Sequence, residues 1–384
     1  MAADNAAAWP RDAEIPLTDV RSVPKTGLAR PPPTQQTARK GRLNFLYAAE
    51  KAAFERYNGG SGTVEDCVFA NHRCSTSSMG PVRIGQAGTA PLVEFIRCTF
   101  TNNVHDTGDN QSSHAACVRI INLSSCTFRD CRFAGNTTTV STTDARYLAS
   151  AVMVDAGYAQ FINTTFEDNV VDAPAATTAS SLACVRTTGT SSSAAFVNCA
   201  FRNNGTFVAI NTPHADIGSY GTGTLGVFNT IFDAGGVISY LAIRENSSVP
   251  TMVASCVIDG PEPQFAAGGI YTNVWYGKAP LRERMAEKEG YPAHLIVAAS
   301  SPHARQGTPV WYAPDGRYYW YDAVTDPAKP WRRTLVKSET AASVPGLSLA
   351  SVPIPDAFGQ IRRIRRTPIG PVNPEDSGTL LLLR

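Results

Sequence analysis

The chain has 384 residues, of which 43% are hydrophobic and 17% charged, and its formal net charge is +2. So small a charge argues against a dedicated nucleic-acid binder, which carries a concentrated basic excess, and no run of eighteen apolar residues is present to form a membrane-spanning helix. The length would fill two or three compact domains, but Ser, Thr, Asn, Ala and Gly crowd residues 60–260, a composition suited to short strands and polar turns.

In chain order, residues 1–40 are rich in Ala and Pro and read as a disordered or extended segment. They lack the charged start and apolar stretch of a secretory signal. Residues 41–60 carry Leu46, Ala49, Ala53 and Phe54 at helical spacing, which predicts a short amphipathic capping helix.

Residues 61–265 repeat. Phe69, Phe100, Phe133, Phe166, Phe201, Phe232 and Ile258 follow one another at intervals of 31, 33, 33, 35, 31 and 26 residues. Two positions before each stand Cys67, Cys98, Cys131, Thr164, Cys199, Thr230 and Cys256, and five before stand Val64, Phe95, Phe128, Phe161, Phe196, Val227 and Val253. Three positions after come Asn103, Asn136, Asn169 and Asn204, with Asn71 displaced by one in the first row and Gly235 in the sixth. A period of this length signals a solenoid. Cys and Phe two apart share one side of a strand, so like residues of successive rows stack. The odd offset of the first column from the Cys requires a bend between them. The Asn is expected to hold a tight turn in the left-handed region, with its amide bonding to the coils above and below.

A second column set reads Val82 and Ile84, Val118 and Ile120, Val152 and Val154, Val185 and Thr187, Val208 and Ile210, Leu241 and Ile243. Each coil therefore has at least two strand segments, and surplus residues leave as loops after the Asn turn, as in 103–114 and 136–148. The expected architecture is all-β: a right-handed parallel β-helix of about seven coils.

The runs Phe100-Thr-Asn-Asn103, Phe133-Ala-Gly-Asn136, Phe166-Glu-Asp-Asn169 and Phe201-Arg-Asn-Asn204 resemble the FxxN repeats of polymorphic outer-membrane proteins and the wider pectin-lyase-like β-helix group. The resemblance covers roughly residues 60–265. It implies the fold, while the group spans adhesins, lyases, hydrolases and passive stalks. The polygalacturonase pattern of Asn-Thr-Asp, Asp-Asp, Gly-His-Gly and Arg-Ile-Lys is absent from the sequence.

Residues 266–384 are expected to form an irregular, aromatic-rich C-terminal cap. Residues 281–289 predict a short charged helix, and Val310 to Tyr321 an aromatic hairpin with Asp315-Gly316 as its turn. Ser301-Pro302, Gly307, the stretch from Asp356 to Arg362 and Ile369-Gly370-Pro371 resemble the terminal segment of secreted bacterial β-helix proteins, which implies an extracellular or cell-surface origin.

Arg83, Arg119 and Arg186 lie between the paired inward residues of the second column and should project outward, with Met153 interrupting the row. Such a row can grip uronate carboxylates or sulfates in bidentate fashion, or form a solvated face paired with acids such as Asp155. The loops bring His105, Asp106, Asp109 and His114 in one coil, Asp144 and Arg146 in the next, and Asp172 beyond. Asp106, Asp109, His114 and Asp144 are the candidates for acid and base work or a calcium site, although Asp is also an ordinary turn former. Trp311, Tyr319 and Trp320 could stack on sugar rings or cover a core end. The nine cysteines include no CxxC pair. They read as free, inert core fillers, and no metal site or further cofactor is expected. The expected function is a non-catalytic structural, adhesive or glycan-binding role with a polysaccharide or a host or cell-surface partner. The alternative is a polysaccharide lyase or glycoside hydrolase acting on an anionic polysaccharide.

Overall fold

Residues 36–37, 54–56, 61–74, 80–85, 90–107, 114–180, 182–189, 191–208, 214–220, 223–235, 240–245, 251–260, 270–279, 281, 285–298, 300–305, 307, 310–312, 317–326, 329–343, 356–358, 360 and 369–372 are described by the computed structural model. All lie within the unit Gln35–Arg384.

Strands leave each coil in a fixed sequence and pair with their counterparts in the next coil, always in parallel. The first sheet runs Gln36–Thr37, Ser61–Glu65, Leu92–Ile96, Ser125–Arg129, Tyr158–Ile162, Ser193–Val197, Leu225–Phe228, Thr251–Ala254, Ile270–Thr272. The second runs Phe54–Arg56, Val82–Ile84, Val118–Ile121, Leu148–Asp155, Leu182–Thr188, His214–Ser219, Tyr240–Glu245, with His114–Ala115 beside Leu148–Asp155. The third carries the Phe column from Val68–Ala70 to Trp275–Tyr276, and a fourth, shorter sheet joins Arg73–Cys74, Val104–Asp106, Thr137–Thr139, Val170–Ala173 and Gly205–Val208. Residues one repeat apart in the chain thus become sheet neighbours about 4.8 Å apart, and the chain is a parallel β-solenoid.

The predicted ladders are real. Phe69, Phe100, Phe133, Phe166, Phe201 and Phe232 are register partners. Phe100 and Phe133 stack at 4.5 Å with 4° between their planes. Phe95, Phe128, Phe161 and Phe196 form a second stack, and the two meet edge to face, as in Phe95 against Phe100 at 71°. Parallel stacking along the axis and edge contacts across it are both favourable ring geometries.

The bend between the first column and the Cys is a single left-handed residue in each row: Asp66, Arg97, Asp130, Asn163, Asn198, Asn229, Ser255 and Asn273 all have φ between 48° and 55°. This bend strands carbonyl groups, and the Cys/Thr column meets them. The Cys131 thiol lies 3.3 Å from the Arg129 carbonyl and 3.5 Å from that of Phe95, while the Thr164 hydroxyl donates to Ile162 and Phe128. Thiol and hydroxyl interchange because each offers one short donor. All nine cysteines are buried and none forms a disulfide.

The Asn column bonds from coil to coil as expected, but its place in the turn needs correction. The left-handed residue of the second bend is the one before it, namely Asn71, Asn102, Gly135, Asp168 and Asn203. The residue after is buried and builds an amide ladder. Asn136 Nδ2 donates to the Phe100 carbonyl at 3.0 Å and to Asn169 Oδ1 at 2.7 Å, and Asn169 repeats this toward Phe133 and Asn204. The ladder ends when Asn204 Nδ2 reaches the Asp216 carboxylate at 3.0 Å. In the first row His72 holds the ladder position and Asn71 the bend, which removes the apparent displacement.

Three further expectations change, and a fourth is extended. The capping-helix segment contains a strand, Phe54–Arg56, paired with Val82–Ile84, and Gln36–Thr37 pairs with Gly62 and Thr63. Phe54 packs on Phe95, so the aromatic joins the ladder instead of a helix face. Residues 41–53 lie outside the described residues. The solenoid passes residue 265, because Tyr271, Val274 and Tyr276 repeat the first-column, Cys and Phe positions around Asn273 in a short row without the Phe/Cys signature. The charged helix over 281–289 does not form in its described part: Leu281 bridges Val297 and Ala286 bridges His294, both antiparallel. Packing outweighs helical propensity there, since Leu281, Met285, Leu295, Val297, Ala304 and Ile369 cover Ala200, Ile231 and Val257 on the outside of the third sheet. The aromatic hairpin forms, pairing Val310–Tyr312 with Arg317–Asp326, and a third strand, Lys329–Ser343, extends it. Its turn at Asp315-Gly316 lies outside the described residues.

Candidate functional site

The outward row of the second sheet is in register from Glu55 through Arg83, Arg119, Met153, Arg186 and Gly218 to Arg244. It therefore contains the three arginines read from the sequence and one that was missed. Arg244 escaped because the expected pairs Val208/Ile210 and Leu241/Ile243 are out of register. Val208 pairs with Ala173 in the fourth sheet, and Ile243 aligns with Ile217 and Val185, so the residue that follows Ile243 takes the arginine place. Coil lengths change in this region, and a two-residue apolar pattern alone cannot fix register across such a change.

The arginines differ in environment. Arg119 Nη2 lies 3.1 Å from Asp155 Oδ2, the local pairing foreseen as one alternative. Arg186 faces outward from its sheet yet is only 1% exposed. Its guanidinium lies over the Tyr147 ring at 5.1 Å and the Tyr220 ring at 4.8 Å, and Nη1 approaches Met153 Sδ at 3.5 Å. Arg244 lies over the same Tyr220 ring at 5.9 Å. Among the described residues no carboxylate is in ion-pair range of Arg186 or Arg244, and the buried Arg186 Nε has no hydrogen-bond partner. Burial pulls the Arg186 guanidinium down to about 10, opposed by Tyr220, Asp155 and Tyr147.

Local sequence explains the tyrosines. Tyr147 stands immediately before its strand with φ of 60°, a backbone state that costs an L residue roughly 1 kcal/mol or more, and the residue is 46% exposed. Tyr220 follows Ser219, the last strand residue, and folds back over Gly218: a Cβ there would lie 2.6 Å from Tyr220 Cε2 and 3.0 Å from the Ala183 Cβ. Glycine in the arginine column is thus the space that Tyr220 occupies. Neither tyrosine lies in a strand, so no column periodicity could reveal them.

The carboxylate candidates are not drawn together as expected. Asp106 is exposed in the fourth sheet, in register with Thr139, which in turn pairs with Asp172. His105 points inward and bonds the Ala115 carbonyl through Nδ1 at 3.1 Å; burial lowers its proton affinity. His114 pairs with Leu148 in the second sheet, and Asp144 pairs with Thr178 in a separate two-stranded sheet. The side chains of His114 and Asp144, and all of Asp109, lie outside the described residues. Trp311, Tyr319 and Trp320 are placed as strand residues of the hairpin, with Trp311 opposite Tyr319. Among the described residues no three His, Cys, Asp or Glu side chains converge as a metal site would require.

No family model, curated protein or solved structure matches the chain. Among the described residues no helix is long and apolar enough to cross a membrane.

Proposed function

We propose that this β-solenoid is a non-catalytic binding protein of the cell surface or extracellular space, and that it holds an anionic polysaccharide along the outer face of its second sheet. The likeness of its FxxN repeats to those of polymorphic outer-membrane and pectin-lyase-like proteins supports that setting. One observation carries the reading: Arg244, half-buried on the outer face over the Tyr220 ring, lacks a carboxylate partner among the described residues. A half-buried cation without an anion is costly, and an oxyanion on the ligand would relieve that cost at Arg244. Charge-assisted, bidentate bonding to carboxylate or sulfate is the recognition for which guanidinium is suited.

The test is retention on immobilised polygalacturonate or hyaluronan across a salt gradient. Wild type should be retained at low salt and released as salt rises, and Arg119→Ala and Arg244→Ala should elute earlier. Elution with neutral dextran-binding controls at every salt concentration would overturn the reading.

A hydrolytic role is the second reading, and one observation favours it. Asp106 and Asp172 stand two rungs apart in register, about 9.6 Å between backbones by the strand spacing, just above the roughly 6.5–9.5 Å between the carboxyls of an inverting pair, a gap that a small inclination of the two side chains closes. A fall in polysaccharide viscosity that Asp106→Asn abolishes would establish it in place of simple binding.

A further inference from the structure

Arg186 does not itself reach a ligand, since it is 1% exposed beneath Tyr147, Tyr220 and Met153, but one of the groups that cover it does face outward. Tyr147 is 46% exposed, and the buried guanidinium occupies one face of its ring at 5.1 Å, so the opposite face is the one turned to solvent. The residue is also held in place. Tyr147 is the joint between Asp144–Arg146, which pairs with Thr178–Ser180, and Leu148–Asp155, which is paired on both sides within the second sheet. Two ladders thus fix its left-handed backbone, and a bulky aromatic kept in that state at an open position is strain of the kind that accompanies function. Arg186 also touches the Tyr220 ring at 4.8 Å, and Tyr220 carries Arg244 at 5.9 Å. The open ring face and the Arg244 guanidinium therefore belong to one run of contacts, and one short stretch of a chain can meet both.

Resting on the anionic-ligand reading above, we propose that Tyr147 is the residue by which this face tells a glycan from other polyanions: the C–H face of a pyranose stacks on its open side while Arg244 takes an oxyanion of the same chain. A pyranose presents a flat patch of C–H groups that suits the negative face of an aromatic ring. A polyanion without rings, such as a glutamate peptide, has no such patch. Because the backbone of Tyr147 is already fixed and its ring is already seated on Arg186, stacking on it sacrifices little further freedom. Arg186 is a positioning residue: it touches no ligand atom, and it seats the rings of Tyr147 and Tyr220 through the attraction of a desolvated guanidinium for aromatic faces.

Calorimetric titration of the full chain tests this with three probes that carry the same number of carboxylates: a hyaluronan oligosaccharide, an oligogalacturonate and an end-capped glutamate peptide. At least one glycan should bind about tenfold tighter than the peptide, the effect of one aromatic contact. Tyr147→Asn removes the ring and suits the left-handed backbone, and it should lower glycan affinity to that of the peptide. Tyr147→Phe should keep the preference. Arg186→Met keeps the fold, because Met153 already occupies this column one rung away. It should weaken glycan binding severalfold without changing how steeply affinity falls with salt, whereas Arg244→Ala should make that fall shallower. A shallower fall in Arg186→Met as well would mean a direct charge contact and overturn the positioning role. Glycan affinity unaltered in Tyr147→Asn, or a wild type that binds peptide and glycans equally, would overturn the stacking assignment and leave the anionic reading standing. Failure of all three probes to bind would overturn both.

Discussion

Replacing Asn136 by alanine separates a ladder residue from a turn residue. Asn136 Oδ1 accepts from the Asn103 backbone at 3.1 Å and from Asn103 Nδ2 at 2.9 Å, while its own Nδ2 donates to the Phe100 carbonyl and to Asn169 Oδ1. Asn103 Nδ2 keeps the Phe69 carbonyl, and Asn169 Oδ1 keeps the Asn136 backbone N–H. The Asn103 N–H and the Phe100 carbonyl therefore lose these bonds in the interior. At about 1–3 kcal/mol for each of these two unsatisfied buried groups, the substitution should cost about 2–6 kcal/mol. Its neighbour in role, Asn102, is exposed and left-handed, and Gly135 occupies the same place one coil later. Asn102→Gly should therefore change stability by less than about 1 kcal/mol. Urea unfolding followed by circular dichroism measures both, and hydrogen exchange at the Asn103 amide localises the loss, which matters in a repeat structure that can open locally. Equal midpoints for the two variants, or an Asn103 amide still protected in Asn136→Ala, would refute the reasoning.

His214 is fully buried with neither ring nitrogen bonded, beside its register partner Leu182, and burial lowers its pKa to about 3. His214→Leu should stabilise the chain by about 1–3 kcal/mol at neutral pH; because the unfolded imidazole takes up a proton that the folded one refuses, the advantage should grow by about 1.4 kcal/mol per pH unit as pH falls below 6.5 toward 3, readable from unfolding midpoints. Asp130 has the opposite sign. Burial is the largest cause raising its pKa to about 7, Asp356 adds to it, and Asn163, Arg129 and Arg97 oppose it. Its contribution is full below pH 3.8 and is lost as pH rises through 7, so Asp130→Asn should flatten the loss of thermal stability over that window. In the Cys column, Cys131→Thr should be tolerated, since Thr164 and Thr230 fill equivalent places. Cys131→Ala should cost about 1–2 kcal/mol in melting experiments through a lost donor and a small cavity.

The parts of the fold that the residues revealed are those in which chemistry repeats at one place in every coil. Phe and Cys two apart define a strand face, and an odd offset from the first column demands a bend, which the left-handed residues at Asp130 and Asn163 supply. The row from Tyr271 to Tyr276 stayed hidden because it keeps the geometry while losing the Phe and Cys. The docking of residues 285–298 had a signal that was not used. Outward positions of the third sheet turn from Thr99, Arg132 and Thr165 to Ala200, Ile231 and Val257, and a sheet becomes apolar on its outer face where something covers it. In the candidate site, the arginine row was legible as an alternation within strands. Tyr147 and Tyr220 come from beyond the strand ends, and Gly218 has meaning only beside the ring that lies on it.

The most direct test of the binding face is hydroxyl-radical footprinting with and without hyaluronan. Tyr147 and Tyr276 are almost equally open to solvent, at 46% and 44%, and Tyr147 alone of the two lies over Arg186. Bound polysaccharide should slow oxidation of Tyr147 and leave Tyr276 and Leu123 unchanged. An unaltered Tyr147 under saturating ligand, or protection at Tyr276 in its place, would contradict the assignment of the second sheet as the face that binds.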